Sequence, residues 1–231
     1  MSAPRIAVSL AAAPMTHLAQ SVQELESAGA DVLHFDVEDG SFIPMLTLGT
    51  RLIGELRPLT RLPFDVHLAM HNPEWILPEL KALGADWVSV HWEACPYPHR
   101  TLGMIRSLGL RAGLAFNPAT SLPDLRYLRS CFDFLLFLTN EPEYPHAPFL
   151  PEVLAKLPRA CEMLAGAVPD LEVDGGINPG NVASAVTAGA TIVVCGRSTF
   201  RDGAVARNLD ALRKAVDQEA PSPRRERDLE T

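Results

Sequence analysis

Leu33-His34-Phe35-Asp36-Val37-Glu38-Asp39-Gly40 reads as a buried strand that turns polar towards its C-terminal end. Side chains alternate along a strand, so His34 and Asp36 point to the same side. Two other stretches have the same build: Phe64-Asp65-Val66-His67-Leu68, and Leu171-Glu172-Val173-Asp174-Gly175-Gly176. Together the strand ends present two imidazoles and two carboxylates, from His34, Asp36, His67 and Asp174. A mixed nitrogen and oxygen set of this kind suits zinc, iron(II), manganese or cobalt. The four are therefore expected to hold one divalent metal ion, with Asp36 and Asp174 also moving protons.

Outward from these stretches the chain alternates. Strands are expected at Arg5–Ala11, Asp31–Val37, Pro63–Leu68, Trp87–His91, Arg111–Phe116, Phe132–Leu138, Leu171–Asp174 and Thr191–Cys195. Helical patterns separate them, including Thr50–Arg57, His99–Leu108, a short Leu122–Arg129, one within Glu152–Gly166, Asn178–Ala188 and a last helix over Ala204–Gln218. Eight strands alternating with eight helices point to a parallel α/β architecture. An open doubly wound sheet would alternate as well. The (β/α)8 TIM barrel is favoured because polar residues gather at several strand ends, which a barrel brings to one mouth. Residues 1–218 are expected to form a single catalytic domain, and the charged, proline-containing residues 219–231 a disordered tail.

The totals agree with this. At 231 residues the chain fits one barrel, which runs to about 200–250 residues. Apolar residues make up 47%, enough for a large core, and a net charge of −8 argues against non-specific nucleic-acid binding. The four cysteines, Cys95, Cys131, Cys161 and Cys195, form no C-x-x-C pair and read as buried thiols. No leader pattern or membrane-length apolar run is expected, so the setting is read as soluble, reducing and cytoplasmic.

The motifs carry a resemblance as well. HFDVEDGSFIPMLTLG (34–49), DVHL (65–68), GLAFNPAT (113–120), EVDGGINPGN (172–181) and, more loosely, CGRSTF (195–200) resemble the ribulose-phosphate 3-epimerase family, over roughly residues 5–215. The resemblance implies a ribulose-phosphate-binding barrel and an isomerase of carbohydrate metabolism in the pentose phosphate series. It implies that His34, Asp36, His67 and Asp174 bind the metal and that Asp36 and Asp174 are the acid–base pair. Inversion at C3 of D-ribulose 5-phosphate would run through a cis-enediolate and give D-xylulose 5-phosphate. Ser9, His67, Gly175, Gly176, Gly196 and Arg197 would contact the substrate, the glycines and Arg197 at its phosphate. The partner is then a small sugar phosphate, with no nucleic acid and no membrane. Members commonly assemble as dimers or hexamers.

The sequence departs from the family in three places. The glycine-rich N-P-G-F-G-G-Q loop after strand six is replaced by Thr139-Asn140-Glu141-Pro142-Glu143-Tyr144-Pro145-His146. The pocket methionines correspond to Glu38, Ala69 and Phe137, with Met70 as a partial substitute. A substrate-contacting serine is Ala12, and Arg197 stands where many members carry serine. Asn140, Glu141 and Tyr144 are candidate contacts from the altered loop. Asp65, on one face with His67, is a candidate to orient a metal ligand. His91 and Glu93 match a His-x-Glu of the family and are candidates for the rim. His71 reads as surface, and Trp75, Trp87 and Trp92 as packing. An epimerase for another ketose or ketose phosphate is the closest alternative. A related decarboxylase or aldolase-type synthase would need an Asp-x-Lys-x-x-Asp cluster, which is absent. A non-catalytic sugar-phosphate-binding relative is the remaining reading.

Overall fold

The computed structural model describes residues 3–142, 147–165 and 169–219. Eight parallel strands close into a barrel in chain order: β1 (Arg5–Ser9), β2 (Val32–Glu38), β3 (Phe64–Ala69), β4 (Trp87–His91), β5 (Arg111–Phe116), β6 (Phe134–Leu138), β7 (Asp170–Asp174) and β8 (Ile192–Cys195). β8 pairs back onto β1, so no edge strand is left. Helices α1 (Leu18–Ser27), α2 (Thr50–Leu56), α3 (Leu77–Ala82), α4 (Pro98–Ser107), α5 (Lys156–Leu164), α6 (Val182–Thr187), α7 (Arg197–Phe200) and α8 (Val205–Glu219) follow in chain order.

The strands are apolar because both of their faces are covered. Residues pointing outward, such as Phe35, Val66, Leu114 and Val173, pack under the helices in one large core. Residues pointing inward stack in layers. At the floor, Asp170 accepts hydrogen bonds from Arg5 (2.5 Å) and Arg111 (2.6 Å), and both guanidinium groups lie over the Trp87 ring. Above them Phe134 reaches across to Gly113, where a Cβ would collide with its ring. The top layer is polar, and it is there that the site lies.

Several boundaries differ from the sequence reading. β1 ends at Ser9 and not Ala11, because beyond its pairing with His34 the backbone has no neighbour. Leu10–Ala12 instead turn as a 3-10 helix. Leu122–Arg129 holds only the 3-10 turn Leu125–Leu128: Pro123 delays the start, and the Asp124 side chain caps the Arg126 N–H. α7, directly after β8, was not foreseen. Trp87 is buried and Trp92 packs against the core, but Trp75 is 66% exposed. The cysteines are free thiols, with Cys161 only partly buried. α8 runs to Glu219, the first residue of the expected tail 219–231, and 220–231 lie outside the described residues. Among the described residues no helix is long and apolar enough to cross a membrane.

Candidate metal centre

Strand register assembles the polar cluster. His34 of β2 lies beside Asp65 of β3, and Asp36 beside His67; Asp174 ends β7 opposite Leu138. His34 Nε2 and His67 Nδ1 each stand 3.1 Å from Asp36 Oδ1. Asp174 Oδ2 is 3.8 Å from His34 Nε2. One ligand atom from each of the four residues lies within 4.8 Å of all the others. Both imidazoles are buried, while the Asp36 and Asp174 carboxylates are 17% and 18% exposed and open to the mouth. Two nitrogens and two anionic oxygens converging from three strands form a donor set that fits a divalent transition-metal ion.

The electrostatics fit a cation too. Burial works against charge on His34, but the carboxylates of Asp36 and Asp65 outweigh it and raise its pKa well above the ordinary value. Burial would raise Asp36, yet His34 and His67 hold it well below the usual carboxylate range. Asp174 is pushed up to about 6, chiefly by burial and then by the charge on Asp36. Asp174 thus lacks enough positive charge beside it.

Other polar groups hold the cluster in place. Asp65 Oδ2 is 2.7 Å from His34 Nδ1, so the ligand that Asp65 orients is His34. Glu172, fully buried, lies 3.6 Å from the same nitrogen, and burial raises its pKa well above the ordinary value. His67 Nε2 is 2.8 Å from His91 Nε2, and His91 Nδ1 is 3.0 Å from Glu93. His91 is fully buried, so it belongs behind the cluster and not to an exposed rim. Burial brings its pKa down to about 4. Ser9 donates to Asp36 Oδ2 at 2.8 Å. Thr139 donates from its N–H and its hydroxyl to Asp174 O, and from the hydroxyl also to Gly175 O, clamping the end of β7.

A cavity of about 700 Å³ opens above the cluster. Ser9, Asp36, His67, Asp174, Gly175, Gly176, Gly196 and Arg197 all line it, so the residues expected to bind metal or substrate or to move protons, except the buried His34, face one space. Gly175 (φ +120°) and Gly176 (φ +71°) make a turn that an L-residue with a side chain resists, and the amides of Asn178 and Asn181 both hold Gly176 O at 3.0 Å. This bend leaves the Gly176 N–H without an acceptor among the described residues, as an anion-binding nest requires.

The family departures are also located. Glu38, Ala69, Ala12 and Asn140 line the cavity. Phe137 does not: it is fully buried and stacks on Phe116, and Leu138 faces the mouth in its place. Met70 is likewise in the core, whereas Met45 lines the cavity. Glu141 is exposed, and Glu143, Tyr144, Pro145 and His146 lie outside the described residues. His71 is exposed, as expected. Sequence reading missed Glu172, Ser198, Asn178 and Arg201. Glu172 was detectable, since it sits two residues before Asp174 on the same face; the others belong to loops with no period to betray them.

Comparison with known proteins agrees with this geometry. A sequence profile of the ribulose-phosphate 3-epimerase family matches residues 5–200. The chain is 39% identical over 200 residues to a ribulose-phosphate 3-epimerase of Synechocystis, covering 84% of this chain and 86% of the relative. It is 35% identical over 214 residues to one of Escherichia coli, covering 91% and 95%. Among solved structures it is similar to a 3-keto-L-gulonate-6-phosphate decarboxylase from Vibrio cholerae. That likeness has a TM-score of 0.72 at 16% identity, covers 95% of this chain and 100% of the other, and bears on fold alone.

Proposed function

The chain belongs to the ribulose-phosphate 3-epimerase family, and on that premise we propose that it inverts C3 of a ketose phosphate, interconverting D-ribulose 5-phosphate and D-xylulose 5-phosphate. The observation that carries this reading is the convergence of His34, Asp36, His67 and Asp174 within 4.8 Å at the barrel mouth. A divalent cation held by these four would supply positive charge beside the ketose oxygens next to C3.

The chain's own residues do the rest. Inversion needs a proton removed from one face of C3 and another delivered to the opposite face. Asp36 and Asp174 stand on β2 and β7, strands separated by β1 and β8, and both are part-exposed to the cavity. One takes the C3 proton; the other returns a proton from the far side, and the roles exchange with the direction of reaction. Ser9 holds the Asp36 carboxylate in place. His67 also faces the substrate. The Gly175–Gly176 turn and the Gly196–Arg197 segment receive the phosphate, through backbone N–H groups and the Arg197 guanidinium.

A second reading keeps the chemistry and changes the ketose. Glu38 and Asn140 in the cavity wall favour it, since they alter the surface a sugar would meet. We place the enzyme in the cytoplasm, in keeping with its free cysteines, as a homo-oligomer with residues 1–218 as its catalytic unit.

The test is turnover of D-ribulose 5-phosphate by protein loaded with cobalt or zinc, read as D-xylulose 5-phosphate formed. Conversion that stops on chelation is expected. A protein that binds one metal ion per chain and leaves the substrate unchanged would defeat the default substrate, and a panel of other ketose phosphates would then decide the second reading.

A further inference from the structure

The two imidazoles of the cluster are braced in different ways. His34 meets a carboxylate directly, at Asp65. His67 meets another imidazole, His91, whose far nitrogen meets Glu93. Glu93 Oε1 in turn accepts from the Asn117 N–H at 2.8 Å and from the Thr120 hydroxyl. A carboxylate only accepts, so His91 Nδ1 carries a proton. One proton must also lie between His91 Nε2 and His67 Nε2, which are 2.8 Å apart.

That proton has two possible owners. On His91 it would make a fully buried imidazolium and leave the His67 proton on Nδ1, aimed at Asp36 and closed to a cation. On His67 it leaves His91 neutral and makes Nδ1, 3.1 Å from Asp36 Oδ1, the nitrogen that a cation would take. Only the second arrangement lets His67 act as a ligand. We propose that His91 and Glu93 are positioning residues that hold His67 in its Nε2–H tautomer and couple this ligand to the loop Asn117–Thr120 after β5. Lys156 Nζ pins the same loop through Asn117 O (3.0 Å) and Pro118 O (2.7 Å), so the bracing runs from α5 to the cluster. Outer partners of this kind commonly set metal affinity within about 10–100-fold.

This inference rests on His67 being a ligand, which loss of cobalt binding in His67→Ala tests separately. The inference itself is tested first without metal or substrate, by imidazole nitrogen NMR of the metal-free protein. His67 should show a protonated Nε2 in the wild type. His91→Phe keeps a ring but removes the acceptor. It should mix the two tautomers and weaken cobalt(II) binding by about 10–100-fold. His91→Gln, whose amide oxygen can accept from His67, should restore most of the affinity. Glu93→Gln should fall between wild type and His91→Phe. A wild-type His67 with no proton on Nε2 would overturn the proposal, as would a His91→Phe protein that binds cobalt as tightly as the wild type. Should His91→Phe fail to fold, Glu93→Gln and Thr120→Val decide by the same two readings. Unchanged tautomer and unchanged affinity in both would overturn it.

Discussion

Asp174 is costly to keep in the metal-free protein, and Asp174→Asn should reveal the cost. Its carboxyl is raised from 3.8 to about 6 by burial and by the charge on Asp36. A carboxyl raised on folding disfavours the folded state once ionised. The penalty is absent below pH 3.8, grows between 3.8 and about 6, and is complete above that. At about 1.36 kcal/mol per pH unit the gap corresponds to about 3 kcal/mol. With 18% of the side chain exposed, solvent reduces this to about 2 kcal/mol. Asn keeps the shape and removes the charge. In chelator at pH 7.5, Asp174→Asn should therefore melt roughly 4–8 °C above the wild type, since 1 kcal/mol moves Tm by about 2–4 °C at this chain length. The difference should shrink to nothing near pH 4. With saturating cobalt the order should reverse, because the variant has lost a ligand. Scanning calorimetry across pH, with and without metal, measures all of this. A metal-free variant that melts at or below the wild type at pH 7.5 would refute the reasoning.

Other perturbations separate the site from its scaffold. Asp174→Asn and Asp36→Asn should each lower turnover by about 10²–10⁴-fold or more with the fold retained, as shown by circular dichroism beside the steady-state assay. His67→Ala should show no bound metal by elemental analysis after loading and dialysis. At the opposite end of the barrel, Asp170→Asn removes the shared partner of Arg5 and Arg111. These side chains are about one-third exposed, so the loss should be about 1–3 kcal/mol in denaturant titration, with turnover per folded molecule unchanged. Gly175→Ala puts a Cβ against Asn140 at φ +120°, and should cost about 2–4 kcal/mol by the same titration and weaken phosphate-ester binding.

The barrel was legible because its strands are apolar on both faces and its helices keep their period. The ligand residues stood out as charge at the ends of such strands, where burial without a partner is unfavourable. Register was not legible. Alternation put Asp65 on one face with His67, but only the pairing of His34 with Asp65 shows which imidazole it serves. Matching to the family's methionines put Phe137 at the mouth, where Leu138 stands level with Asp174. His91 was underrated because a histidine at a strand end looks the same in sequence whether it faces solvent or another imidazole. Loops were the least readable part: α7 is only four residues long, and nothing in the sequence marks Arg201, just after it, as facing the cavity.

The central claim is that Asp36 and Asp174 exchange the proton on C3 of a ketose phosphate. It is tested most directly by NMR of metal-loaded protein with D-ribulose 5-phosphate in D2O. We expect D-xylulose 5-phosphate to form with deuterium at C3, and Asp36→Asn and Asp174→Asn to abolish its formation. Epimerisation without deuterium at C3, or undiminished in either variant, would contradict the claim.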